Sequence, residues 1–282
     1  MCLYPKVIKN KKYLPNKKNG YNAPKCENKL FEYVTADCGR CLECRKKKMR
    51  DWKVRLMEEV TDNRDALFVT LTLNEDSLKK GWKPKDYVRK FLERYRKKHG
   101  KSVRHWLVTE PGEENGRLHF HGLIWNWDRN TELSDVWQYG FVYIGRFVNE
   151  KSVNYIVKYM LKPNIKHKEF RQEVFCTPGI GKGWVDKPLG IMSTAKEEEF
   201  YRLSNGSRIA LPKYYKNKMF DDETREKLWL KKIESGIAYV LGQPVSMDDE
   251  NTYMKMLKDA REKDRDMFYR VIEQDEQEKE LK

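Results

Sequence analysis

The hydrophobic periodicity between residues 64 and 165 constrains the fold of this chain more than any other feature. Residues 66–73 are apolar and β-branched and stop at Asn74, which predicts a buried strand. Residues 84–98 place Tyr87, Val88, Phe91, Leu92 and Tyr95 on one face of an amphipathic helix closed by Gly100. Residues 104–110 and 117–125 read as two further strands, and the composition of 111–116 predicts a turn between them. A helix-rich stretch at 132–139, a fourth strand at 140–147 and a helix over 151–162 complete the pattern. Strand, helix, hairpin, strand, helix implies an α+β domain whose mostly antiparallel sheet carries helices on one face.

Within that frame the third strand contains His119-Phe-His121. Side chains alternate along a strand, so both imidazoles project from one face and can reach a single ion. A turn at 111–116 would pair Glu110 with Arg117 and bring that carboxylate to the histidine face; a slip of one residue would remove it. Two imidazoles and one carboxylate can hold a divalent ion with open positions for catalysis. The plainer reading of the same residues is a pair of half-exposed strand histidines.

On the helix that follows, Val153, Ile156, Val157 and Met160 fall on one side, and Tyr155, Lys158, Tyr159 and Lys162 fall on the other. Two tyrosines one turn apart can simply pack at a helix edge. They can also act as nucleophiles, each phenol oxygen attacking a backbone phosphate and conserving the ester for resealing, while Lys158 supplies positive charge to the phosphoryl transition state.

Charge points to a polyanionic partner. The 282 residues include 58 Lys and Arg against 43 Asp and Glu. The first fifty carry 14 against 4, whereas residues 241–282 carry 8 against 12. Such a field concentrates nucleic acid near the protein, although it also serves solubility alone. An aromatic content of 12% excludes a disordered chain, and no apolar run approaches the length of a bilayer span. The start reads as no signal peptide, so a soluble protein with reduced cysteines is expected.

Cys38-Gly-Arg-Cys41-Leu-Glu-Cys44 has two-residue spacers that let successive thiolates turn onto one tetrahedral ion, with Cys2 or Cys26 as the fourth ligand. Structural zinc is one reading; three reduced thiols at a helix start, or an iron–sulfur cluster, are the others. The next sixteen residues form a cationic helix with Met49, Trp52, Leu56 and Val60 on one face.

Phe68-Val-Thr-Leu-Thr72, His119-Phe-His121 and Tyr155-Ile-Val-Lys158-Tyr159-Met-Leu-Lys162, in this order and spacing, resemble the three motifs of the HUH replication initiators of rolling-circle elements. The start of the chain and the cysteine run look like those of the microvirus members of that family, gokushovirus-like phages of single-stranded DNA. The resemblance implies a ferredoxin-like antiparallel sheet and Mg or Mn held by His119, His121 and the less secure Glu110. It further implies nicking of origin DNA through a 5′-phosphotyrosine, with Tyr155 and Tyr159 alternating as nucleophiles. Thr70, Thr72, Arg117 and Lys162 are its candidate DNA contacts. Single-stranded origin DNA, host helicase and host polymerase are the implied partners, and the cytoplasm of a bacterial host is the implied location.

Three consecutive regions follow: a basic cysteine-rich region (1–60), an endonuclease core (61–165) and a mostly helical extension (166–282). In the last, residues 179–183 are glycine-rich but lack the Gly-x4-Gly-Lys-Ser/Thr pattern of a phosphate loop, so unwinding must come from elsewhere. Residues 211–218 interleave aromatics with cations, as a single-strand-binding surface or an ordinary helix entry would. Residues 222–233 and 251–280 read as helices, the second acidic enough to be a mobile or partner-binding tail. A noncatalytic zinc-binding nucleic-acid adaptor is the competing function.

Overall fold

A computed structural model describes residues 1–112, 116–161, 170, 172–203 and 205–280, with side chains described as far as residue 266 and Leu30 omitted. In chain order the elements begin with β1 (Lys6–Lys9), β2 (Tyr33–Ala36), α1 (Leu42–Asp62), β3 (Leu67–Thr72), α2 (Glu75–Lys79) and α3 (Pro84–His99). Next come β4 (Arg104–Pro111), β5 (Leu118–Trp125), α4 (Leu133–Trp137), β6 (Val142–Gly145), α5 (Glu150–Lys158) and β7 (Val174–Cys176). The remainder comprises α6 (Pro188–Ala195), β8 (Phe200–Arg202), β9 (Arg208–Ala210), α7 (Lys213–Met219), α8 (Asp222–Glu234), β10 (Ile237–Val240), β11 (Gln243–Ser246) and α9 (Glu250–Glu280).

Contacts divide the chain into two compact units, Met1–Lys47 with Lys232–Glu273 and Lys48–Lys231 with Gln274–Lys282. Both are discontinuous, where the sequence reading drew consecutive segments.

The larger unit is built on a five-stranded sheet in the order β6-β3-β5-β4-β7, with every neighbouring pair antiparallel. Alternation along the strands sorts its side chains into two cores. Val69, Leu71, Leu107, Phe120 and Ile124 pack with α3 and α4 on one face. On the other, Trp106, Val108, Leu123 and Trp125 pack with Leu56 of α1 and Val153, Ile156 and Val157 of α5. The sheet is therefore covered on both faces rather than one, because the apolar stripe of the basic α1 needs burial as much as that of α3. At Gly122 the strands approach so closely that a Cβ would lie 2.0 Å from the Trp106 carbonyl oxygen, which explains the glycine after His121.

Several expected elements differ in extent. The fourth strand contracts from 140–147 to Val142–Gly145, and the tyrosine helix runs Glu150–Lys158 with Tyr159 as its C-cap rather than reaching 162. The C-terminal region is less helical than expected: β7 extends the main sheet, and β8–β9 and β10–β11 are hairpins. Residues 211–218 follow the ordinary-helix reading, since Tyr215 of α7 is fully buried and donates to the Gly181 carbonyl at 2.8 Å.

In the smaller unit Cys2, Leu3, Cys41, Cys44, Val240, Val245, Leu257 and Ala260 form one core. The first part of α9 is thus packed rather than a free tail. No helix among the described residues is long and apolar enough to cross a membrane.

Candidate active site

The histidine pair lies at the end of β5 on the face shared with α5. In the observed register Glu110 faces His119, not Arg117. The hairpin is tighter than expected, with Gly112 donating to the Arg117 carbonyl at 2.7 Å. The shift is two residues, an even number, so Glu110 keeps the histidine face. Its Oε2 lies 3.0 Å from His121 Nε2, with both side chains largely buried.

Across the β3–β5 ladder Thr70 stands opposite His121 and Thr72 opposite His119. The Thr70 hydroxyl is 3.0 Å from His121 Nδ1, and the Thr72 hydroxyl is 2.9 Å from His119 Nδ1. These threonines, singled out as DNA contacts, instead sit beside the imidazoles and fix their orientation, leaving each Nε2 as the atom available to a ligand. Burial, with the neighbouring His121, holds His119 below the usual imidazole range despite Glu110 nearby, which favours the neutral ring that a metal requires. A Cβ on Gly112 would lie 2.9 Å from His119 Nε2, so that ring occupies space only a glycine leaves free.

The two imidazole centroids are 5.9 Å apart. His119, His121 and Glu110 are not gathered within 4.8 Å of one another, unlike the cysteines described below. One ion shared by all three requires rotation of the His119 ring.

Helix α5 is anchored by a capping box between Asn149 and Ser152 and by Val153, Ile156 and Val157 in the core. That anchoring turns Tyr155 and Tyr159 toward the histidine end. The ring of Tyr159 stacks on His121 with centroids 4.3 Å apart and planes 9° from parallel. Its hydroxyl donates to the Tyr155 hydroxyl at 2.6 Å. Lys158 is exposed, with no ion pair to a described residue. Arg117 pairs with Glu75 at 3.6 Å, away from the imidazoles. Lys162 lies outside the described residues.

In the smaller unit the sulfurs of Cys2, Cys38, Cys41 and Cys44 lie within 4.8 Å of one another, a group that could hold a metal ion such as zinc. Cys26 is not part of it; its thiol donates to the Asn28 carbonyl. The hairpin of β1 and β2 returns the chain so that the backbone N–H of Cys38 donates to Cys2 Sγ at 3.2 Å. Burial pushes the Cys38 thiol up, but amide donors from Arg40 and Cys41 and the thiols of Cys2 and Cys41 outweigh it and bring it down to about 7. Burial pushes Cys41 and Cys44 up. Sequence reasoning missed Asp264, whose carboxylate accepts from the Leu42 N–H at 2.7 Å and lies 3.5 Å from Arg45, tying α9 to the start of α1 beside the thiols.

Residues 66–164, which carry all three motifs, match the replication-associated protein ORF2 family. That region belongs to the phage replication-associated proteins. Over 213 residues the chain is 22% identical to replication-associated protein ORF4 of Chlamydia phage 1, covering 64% of this chain and 52% of the relative. It is 26% identical over 232 residues to replication-associated protein VP4 of Bdellovibrio phage phiMH2K, covering 70% and 71%. The chain thus spans about half the length of the first of these microvirus relatives. No solved structure matches it.

Proposed function

We propose that the protein initiates rolling-circle replication as a metal-dependent nickase and strand transferase of single-stranded origin DNA. The observation that carries this reading is the convergence of the two pairs read from sequence, with the Tyr159 ring on His121 and its hydroxyl on Tyr155. The strand order β6-β3-β5-β4 is that of a ferredoxin-like sheet, which supports assignment to the HUH fold.

In the nicking step a tyrosine oxygen attacks phosphorus and the bond to the 3′ oxygen breaks. The products are a 5′-phosphotyrosine and a free 3′-hydroxyl, so the phosphodiester is conserved. The Tyr159 proton can pass to Tyr155, which is exposed to solvent, and the departing 3′ oxygen takes a proton from water. Thr70 and Thr72 hold the imidazoles in one orientation throughout. Mg or Mn, held by His119, His121 and Glu110, would neutralise the nonbridging oxygens as charge builds on the phosphoryl group. Lys158 is free to approach the phosphate once DNA is bound. With two tyrosines, one can hold the 5′ end while the other cleaves the regenerated origin, and reversal of the first ester closes the circle.

The four-thiol cluster, read as structural zinc, supports a second function, a noncatalytic nucleic-acid adaptor. Incubation with labelled single-stranded origin DNA and Mn separates the two, since only the nickase leaves a denaturation-resistant adduct that EDTA prevents. Host helicase and polymerase would act on the exposed 3′ end in the cytoplasm of the bacterial host.

A further inference from the structure

We propose that Phe141 and Tyr143, with Phe147 beyond them, form a stacking platform that holds unpaired DNA bases beside the tyrosine pair. The inference rests on the reading of that pair as acting on single-stranded DNA.

Large aromatic side chains usually bury most of their surface, yet Phe141, Tyr143 and Phe147 are 69%, 53% and 91% exposed. Single exposed apolar residues need no explanation, whereas a connected set does. Tyr143 stands opposite Thr70 on edge strand β6 and so shares the face of the histidines. Phe141, two residues earlier, remains tied to the ladder through its carbonyl, which accepts from the Thr72 N–H at 2.8 Å. The ring of Phe68 bridges the platform to the catalytic helix, 6.3 Å from Tyr143 and 6.0 Å from Tyr155. An aromatic row therefore leads from the sheet edge to the proposed nucleophiles.

The surrounding charge suits a phosphate backbone. Arg146, Lys151 and Lys158 are exposed and make no ion pair with a described residue. Glu150 is the sole acid in residues 141–158 and pairs with Lys53 at 3.9 Å. Alternate strand residues lie roughly 6.8 Å apart, about two base steps of the ~3.4 Å rise of a stacked strand. Aromatic faces accept any base, so such a platform holds the strand without reading its sequence. A duplex, whose bases are already stacked on one another, gains nothing from it.

The test is fluorescence anisotropy in EDTA, with fluorescein-labelled single-stranded oligothymidylate, an abasic deoxyribose-phosphate strand of equal length and a duplex of equal length. The wild type should prefer the thymidylate strand to both others. Tyr143→Ala and Phe147→Ala should each weaken thymidylate binding about fivefold or more, leave the abasic strand within about twofold, and keep the wild-type melting temperature. Tyr143→Trp should bind as the wild type does. Unchanged thymidylate affinity in both alanine variants, an equal loss on the abasic strand, or a platform whose alanine variants only change self-association would overturn the proposal. Binding in EDTA needs no cleavage, so intact platform behaviour in a protein that forms no adduct would refute the nickase reading alone.

Discussion

The ring of Tyr159 lies flat on that of His121, with centroids 4.3 Å apart. The contact sets the two tyrosines in unequal positions, because Tyr155 is 52% exposed and meets the site through the Tyr159 hydroxyl. Tyr159→Phe should therefore slow the first cleavage of origin single strand more than Tyr155→Phe does. Single-turnover cleavage of a labelled oligonucleotide measures this; equal loss in the two variants would refute the inequality.

Removing the threonine hydroxyls should loosen the histidine site without touching a ligand. Orienting partners of metal ligands typically contribute about 10–100-fold in affinity or activity. Thr70→Val and Thr72→Val should each raise the Mn concentration needed for half-maximal nicking by about that factor, with thermal stability little changed. A metal titration of cleavage reads the effect, and wild-type Mn dependence in both variants would exclude the orienting role.

The thiol cluster predicts one tightly held zinc per chain. Elemental analysis of purified protein should find it, Cys2→Ser should lower the content, and Cys26→Ser should leave it intact. Because thiols must lose protons to bind the ion, and burial holds Cys41 and Cys44 protonated, zinc should be released as pH falls. A wild-type protein free of stoichiometric metal would contradict the site.

Glu59 of α1 is buried and accepts from Arg104 Nε and Nη2 at 2.6 and 2.7 Å and from the Gly181 N–H at 2.7 Å. Burial raises its pKa, but Arg104 and that amide outweigh burial and hold it below the usual carboxylate value. A carboxyl depressed in the folded state contributes stability above its unfolded pKa and loses it as pH falls through the folded one. Glu59→Gln should cost about 3–5 kcal/mol at neutral pH, as breaking a buried pair does, and the deficit should shrink in acid. Denaturant melts at pH 7 and pH 3.5 test this, a pH-independent deficit being the contrary result.

Much of the catalytic region was legible because its signals are local. The 66–73 strand, the amphipathic 84–98 helix and the apolar side of the tyrosine helix each follow from periodicity, and Gly100 takes the left-handed C-cap that its position predicted. Glu110 kept its face despite a mistaken partner because strand faces depend only on whether a shift is odd or even. The Thr70–His121 and Thr72–His119 pairs were not legible as pairs, since they depend on a register between strands separated by a helix and another strand. Cys38, Cys41 and Cys44 announce themselves by spacing. Choosing Cys2 over Cys26 required the β1–β2 hairpin, and the Asp264 contact with Leu42 spans 222 positions, beyond any local pattern.

The most direct measurement is covalent capture on labelled single-stranded oligonucleotides tiling the origin of the encoding genome, in Mn, followed by peptide mapping of the adduct. The wild type should yield an adduct at Tyr155 or Tyr159 that EDTA prevents and that the double variant Tyr155→Phe/Tyr159→Phe lacks. An adduct that persists in the double variant, or none on any strand in the wild type, would contradict the assignment of these phenols as nucleophiles.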